Sequence, residues 1–186
     1  METLYLDNQY LKEFEAEVTS VNGKYITLNQ TAFYPTSGGQ LNDTGIIKTS
    51  SDEYKVIYMG KFNGQISHEV DKEGLKIGDK VTCFINWDRR HKLMRSHTAA
   101  HILSQIINKE TGAMITGNQL DLEKSRIDFS LENYDPDQLQ YFVRKANEIV
   151  EKDLPLSVEY ISREEAENTP ELTKLAKGLP QGIETI

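Results

Sequence analysis

The hydrophobic period of this chain changes once, near Trp87–Arg89, and that change bounds what it can fold into. Before it the period is two. Phe14-Glu15-Ala16-Glu17-Val18-Thr19-Ser20-Val21 and Lys24-Tyr25-Ile26-Thr27-Leu28 alternate apolar with polar and flank Asn22-Gly23, a strong hairpin signal. Further strand-like runs cover Gly45–Thr49, Tyr54–Met59, Gln65–Val70 and Lys80–Trp87, with Gly60, Gly64, Gly74 and Gly78 punctuating them. Short strands separated by glycine turns predict a small β-barrel or sandwich.

After the change, Leu93, Ala100, Leu103 and Ile107 recur at three- and four-residue steps and predict a helix over 89–109, ended by Thr111-Gly112. Ala113–Leu120 and Ser125–Ser130 read as a strand pair. Asp135-Pro136, a cap followed by proline at the first helical position, opens a helix to about Asp153. Leu156–Ile161 alternates as a strand, and Ser162 with Glu165 forms the capping box of a short helix. The fold class expected is α+β: a β-barrel domain over 1–88 and an α+β domain over 89–186.

Composition removes several function classes. The apolar runs of this 186-residue chain are far short of a membrane helix, which needs ~20 residues. The start, METLYLDNQYLKEFE, is acidic and lacks the apolar stretch of a secretory signal. A single cysteine excludes an internal disulfide framework and a four-cysteine zinc site. Cytoplasm is the expected compartment. The net charge is −8, but residues 132–171 alone carry eleven acids and four bases, a balance of −7. A nucleic-acid partner therefore needs only a local basic patch. Arg89, Arg90, Lys92 and Arg95, with His91 among them, offer one, and a solvated helix start is the competing reading.

Two segments hold residues suited to chemistry. In His97-Thr-Ala-Ala-His101 the four-residue spacing sets both imidazoles on one helix face, one turn apart, which suits two ligands of one zinc ion; from the spacing alone, two ordinary histidines, one solvated and one buried, are the plainer reading. Cys83 shares a strand face with Val81, Ile85 and Trp87 and reads as core. Nothing in the spacing of His68 or His91 marks them as ligands. The second segment runs from Thr31-Ala-Phe-Tyr-Pro-Thr-Ser to Gly38-Gly39-Gln40 and closes with Asn42-Asp43-Thr44-Gly45. A Gly-Gly pair permits positive φ or close approach of a ligand, and Gln40 offers both a donor and an acceptor. A glycine turn of a β domain is the plainer reading.

Taken in order, these segments resemble a known family. Thr31 to Gly45 is similar to the motif opening the editing domain of alanyl-tRNA synthetase and of free-standing AlaX-type alanyl-tRNA editing proteins. His97-Thr-Ala-Ala-His101-Ile-Leu resembles that domain's metal-binding helix, Leu122–Ser130 its following strand, and Leu154–Ala166 its later strand and helix. The resemblance covers most of the chain.

It implies a translation-factor-like barrel, then an α+β domain shared with a threonyl-tRNA synthetase editing region. It implies hydrolysis of the ester joining serine or glycine to tRNA(Ala). Carried over to this sequence, Thr31 would contact a serine hydroxyl, Gln40 would sit beside the ester, and Gly38 and Gly39 would leave room for the terminal adenosine. His97 and His101 would hold Zn²⁺, and Arg89 and Arg90 would contact phosphates. In the family zinc also takes a later Cys-x-x-x-His. That motif is absent here, and the sequence ends at Glu184-Thr185-Ile186, short of where it is expected, so the reading is of a piece of a longer protein with two of four zinc ligands. The alternatives are a catalytically incomplete module that binds the tRNA acceptor end, and threonyl-type editing. Against the latter stands the Phe-Tyr-Pro…Gly-Gly-Gln segment.

Overall fold

The architecture is that of a computed structural model, which describes residues 1–62, 64–133 and 135–169. It is α+β and divides into two compact units, Met1–Met94 with Leu120–Lys124, and Arg95–Gln119 with Ser125 onward. The first unit thus extends past the boundary expected at 88 and takes in a second, later stretch of chain. Residues 170–186 of the expected second domain lie outside the described residues.

In the first unit, β1 (Glu2–Thr3) and α1 (Leu4–Asp7) lead into β2 (Glu13–Asn22), β3 (Tyr25–Leu28) and β4 (Gln30–Thr31). Then follow β5 (Gly45–Lys48), β6 (Glu53–Phe62), β7 (Gln65–Val70) and β8 (Lys80–Ile85). Six of these close into a barrel in the order β2-β3-β7-β6-β5-β8, with β8 returning to β2 through Phe14↔Cys83 and Ala16↔Val81. β1 pairs with β4 in parallel, Thr3 opposite Thr31.

Closure follows from the alternation. Phe14, Ala16 and Val18 on β2, Ile26 and Leu28 on β3, Ile66 and Val70 on β7, and Val81, Cys83 and Ile85 on β8 are all buried. The barrel core takes most of them, together with Phe33, Ile47, Tyr54, Val56, Met59 and Leu75. Cys83 faces inward as expected, and burial pushes its thiol up to about 12.

One position requires glycine for lack of room. A Cβ on Gly45 would lie 2.1 Å from the Phe84 carbonyl oxygen and 2.7 Å from the Phe33 ring. The hairpin announced by Asn22-Gly23 forms, but Asn22 pairs with Tyr25, so its turn is made by Gly23-Lys24, one residue later. Lys80–Trp87 also divides differently from the expectation: β8 stops at Ile85, and Trp87 begins the long helix α2 (Trp87–Thr111).

The second unit holds the later part of α2, the antiparallel pair β9 (Ile115–Gln119) and β10 (Arg126–Phe129), α3 (Pro136–Val150) and α4 (Arg163–Glu167). Ile107, Ala113 and Phe142 form its core, with Leu103, Ile106, Phe129 and Tyr141 against them. Both predicted caps form: Asp135 accepts from the Asp137 amide at 2.9 Å, and Ser162 from the Glu165 amide at 3.2 Å. The strand predicted over Leu156–Ile161 does not form. These residues pair with no strand among those described, and Leu156 is 78% and Val158 60% exposed. Alternation makes a segment fit for one face of a sheet, but a strand exists only where a neighbour takes its amides and carbonyls. No helix of the described residues is long and apolar enough to cross a membrane.

Candidate functional site

The segment from Thr31 to Asp43 folds back on itself and is fixed from three directions within the first unit. Its tip is Ser37-Gly38-Gly39-Gln40. The Ser37 amide donates to the Gln40 carbonyl at 3.2 Å and the Gln40 amide to the Ser37 carbonyl at 2.9 Å. Between them Gly38 and Gly39 both take positive φ, +57° and +78°. This is the two-residue hairpin that demands left-handed backbone at both central positions, so glycine at 38 and 39 is a conformational requirement.

Leu120 holds the tip from one side. Its amide donates to the Gly39 carbonyl at 2.8 Å, and its carbonyl accepts from the Leu41 amide at 3.4 Å. Gln40 bridges Leu120 in parallel and is buried, 3% exposed.

Arg89 and Arg90, at the start of α2, hold the base of the loop. Arg90 is 2% exposed and Asp43 fully buried. The Arg90 Nε lies 3.0 Å and 2.9 Å from the two carboxylate oxygens of Asp43, and a terminal nitrogen also meets Oδ2. The remaining donors go to the carbonyls of Gln9, at 2.8 Å, and Ala32. Asp43 Oδ2 accepts the Tyr34 amide at 2.7 Å. A buried guanidinium and carboxylate compensated this fully brace the loop. The Arg90 donors that would meet a phosphate are taken up inside the protein. Arg89 is half-buried and spends its Nε on the Asn42 carbonyl at 3.0 Å.

At the loop's start, Thr31 is fully buried. Its hydroxyl lies 3.0 Å from His68 Nε2 and accepts the Phe33 amide at 3.2 Å. His68, on β7, is buried too, and its Nδ1 lies 3.4 Å from the Ile26 carbonyl. Burial lowers the pKa of its imidazole to about 4, so it is neutral at pH 7. No local spacing marks His68, because its partner lies 37 positions away. The signal available was a histidine at an inward position of an alternating strand, between Ile66 and Val70.

His97 and His101 belong to the second unit. Their rings are parallel within 8°, with centroids 5.0 Å apart. Burial, and then the neighbouring His101, lower the pKa of His97. Adjacent imidazoles one turn apart are of the donor type zinc takes. Among the described residues no group of three or more histidine, cysteine or carboxylate side chains gathers to hold an ion. A separate apolar cleft of about 600 Å³ in this unit is lined by Ala99, Ala100, Leu103, Ile127, Phe129 and Phe142, and by none of the predicted site residues.

Comparison with known proteins places this geometry among relatives. A family model of class II (A) tRNA synthetases matches residues 3–89. The alanyl-tRNA editing protein AlaX-M of Methanosarcina mazei is 51% identical over 192 residues, covering 98% of this chain and 76% of that protein. The AlaX-M protein of Saccharolobus solfataricus is 41% identical, covering 98% and 78%. The alanine–tRNA ligase of Pyrococcus abyssi is 40% identical over 89% of this chain, a stretch that is 18% of the ligase.

Proposed function

The chain belongs to the alanyl-tRNA editing protein family of the AlaX-M type, and from that membership we propose that it hydrolyses the ester joining serine or glycine to tRNA(Ala). Membership across nearly the whole chain is the observation that carries this reading. The braced loop supports where the chemistry belongs.

An aminoacyl ester is already reactive, so the protein needs to position the ester and a water and to stabilise the developing oxyanion. A loop fixed by Leu120 at its tip and Arg90 at its base is preorganised for positioning. Gln40 lies beside the ester in this reading, its amide able to donate to the carbonyl oxygen and accept from water. Gly38 and Gly39 present bare backbone, leaving room for the terminal adenosine. Thr31 reads the hydroxyl of a mischarged serine, a contact that alanine cannot make. Arg89 is the phosphate contact at the loop's base; such contacts position the nucleic acid without reading sequence.

His97 and His101 are two of the residues that hold zinc in this reading. When bound, zinc supplies Lewis-acid polarisation of the carbonyl and a more acidic water. The residues' own part is to lie parallel, which the one-turn spacing on the helix arranges, and at His97 burial favours the neutral ring.

The test is deacylation of Ser-tRNA(Ala), Gly-tRNA(Ala) and Ala-tRNA(Ala). Loss of serine and glycine with alanine retained is expected. Binding of the acceptor end with no deacylation in the presence of zinc would favour the second reading, a catalytically incomplete binding module.

A further inference from the structure

We propose that His68 is a specificity-setting positioning residue: it takes the Thr31 hydroxyl proton, so that the Thr31 oxygen can only accept a further hydrogen bond. The argument is one of proton placement, and it rests on the proposed hydrolase activity for its consequence. Three contacts define it: Ile26 carbonyl to His68 Nδ1 at 3.4 Å, His68 Nε2 to Thr31 Oγ1 at 3.0 Å, and Thr31 Oγ1 to the Phe33 amide at 3.2 Å.

A carbonyl can only accept, so the proton between Ile26 and His68 sits on Nδ1. A neutral imidazole has one proton, so Nε2 is bare and must accept. Among the described residues, the proton it takes is that of the Thr31 hydroxyl. The other tautomer would set the Nδ1 lone pair against the Ile26 carbonyl and the Nε2 proton against Thr31. Burial supports the neutral ring, and among the described residues no acid is paired with it. Ile26 and His68 are opposite one another in the β3–β7 pairing, so the barrel itself sets the chain of contacts.

The Thr31 oxygen has two lone pairs, and the Phe33 amide takes one. What is left is a single acceptor with no proton to give. A serine hydroxyl can donate to it; the hydrogen of glycine and the methyl of alanine cannot. A freely rotating threonine hydroxyl would hold serine less firmly, because its own proton could turn into the place that the serine proton takes. Thr31 is fully covered here, so serine reaches the oxygen only if its cover shifts on binding. A purely structural role for the His68–Thr31 pair would leave the serine-to-glycine preference unmoved, and the experiment separates the two.

Two measurements test it. The first needs no variant: long-range ¹⁵N–¹H NMR of the protein at pH 7 should show His68 with Nδ1 protonated and Nε2 bare. The opposite tautomer overturns the proposal. The second compares deacylation of Ser-tRNA(Ala) and Gly-tRNA(Ala). His68→Leu removes the acceptor and should lower the serine rate about fivefold to tenfold, the size of one lost hydrogen bond, while changing the glycine rate less than about twofold. His68→Gln, whose amide oxygen can take the Thr31 proton, should restore most of the preference. Equal loss on both esters, with melting temperature falling in parallel, overturns it. A protein that cleaves neither ester before any substitution overturns the hydrolase reading instead, and the NMR spectrum then decides alone whether His68 holds the Thr31 proton.

Discussion

Arg90 and Asp43 are 47 positions apart in sequence and meet in a buried, many-contact ion pair, with the Arg90 Nε within 3.0 Å of both carboxylate oxygens. The pair ties the first turns of α2 to the base of the glycine-tipped loop. Because the remaining Arg90 donors reach the carbonyls of Gln9 and Ala32, one side chain joins three segments of the chain.

Removing one partner should therefore be costly. Arg90→Met leaves the Asp43 carboxylate buried and unpaired, and unfolding in urea should show a loss of about 3–5 kcal/mol. Changing both, to Arg90→Met with Asp43→Leu, should recover part of that loss, since no bare charge remains. A single Arg90→Met chain as stable as the parent would mean that the pair contributes nothing.

Gly38 and Gly39 carry the turn. Alanine at either must take left-handed backbone, so Gly38→Ala and Gly39→Ala should each lower stability by about 1–2 kcal/mol. Both should also slow deacylation as the tip leaves its fixed shape. Thermal melts with parallel rate measurements check this, and unchanged values for both variants would contradict it.

Burying a neutral histidine makes stability depend on pH with a definite sign. The folded pKa of His68 is about 4, below the ordinary 6.5. Protons therefore bind the unfolded chain first as pH falls. The contribution is fully present above pH 6.5 and is lost progressively between 6.5 and about 4. A shift of this size corresponds to about 3 kcal/mol over that window. Urea unfolding at pH 7.5 and 4.5 should show a smaller drop for His68→Leu than for the parent. An identical drop would mean that His68 does not titrate this way.

His97→Ala and His101→Ala should each lower the zinc retained after dialysis, read by metal analysis, with helical circular dichroism unchanged. Wild-type zinc content in both variants would remove them from the ligand set.

Thr31→Val removes the hydroxyl with little change in volume. Serine deacylation should fall about tenfold, with the glycine rate nearly unchanged, because one hydrogen bond to the substrate is lost. It also strips His68 Nε2 of its donor, so a stability loss of about 1–3 kcal/mol should accompany it. A serine rate equal to that of the parent would remove Thr31 from discrimination.

Much of the architecture could be read from residue order because it depends on near neighbours. Alternation along β2, β3 and β7 marks inward faces that the barrel buries. Asp135-Pro136 and Ser162 announce helix starts that form where expected, because a cap is satisfied within three residues. Gly38-Gly39 marks a turn that needs positive φ at two positions. Where local pattern was asked to decide pairing it fell short. Leu156–Ile161 alternates like a strand yet has no strand beside it among the described residues, and Trp87 shares the period of β8 but starts a helix.

By itself, then, the order of residues determined the α+β class, the position of the glycine turn and the one-turn spacing of His97 and His101. Tertiary structure alone decided that Arg90, which reads as part of a basic patch, is an internal brace for Asp43, and that His68, which no spacing marks, is the partner of Thr31. The reason is range. Periodicity, caps and turns are set by residues within a few positions of one another, whereas the proton and charge partners of a buried polar group are chosen by chain closure over tens of residues.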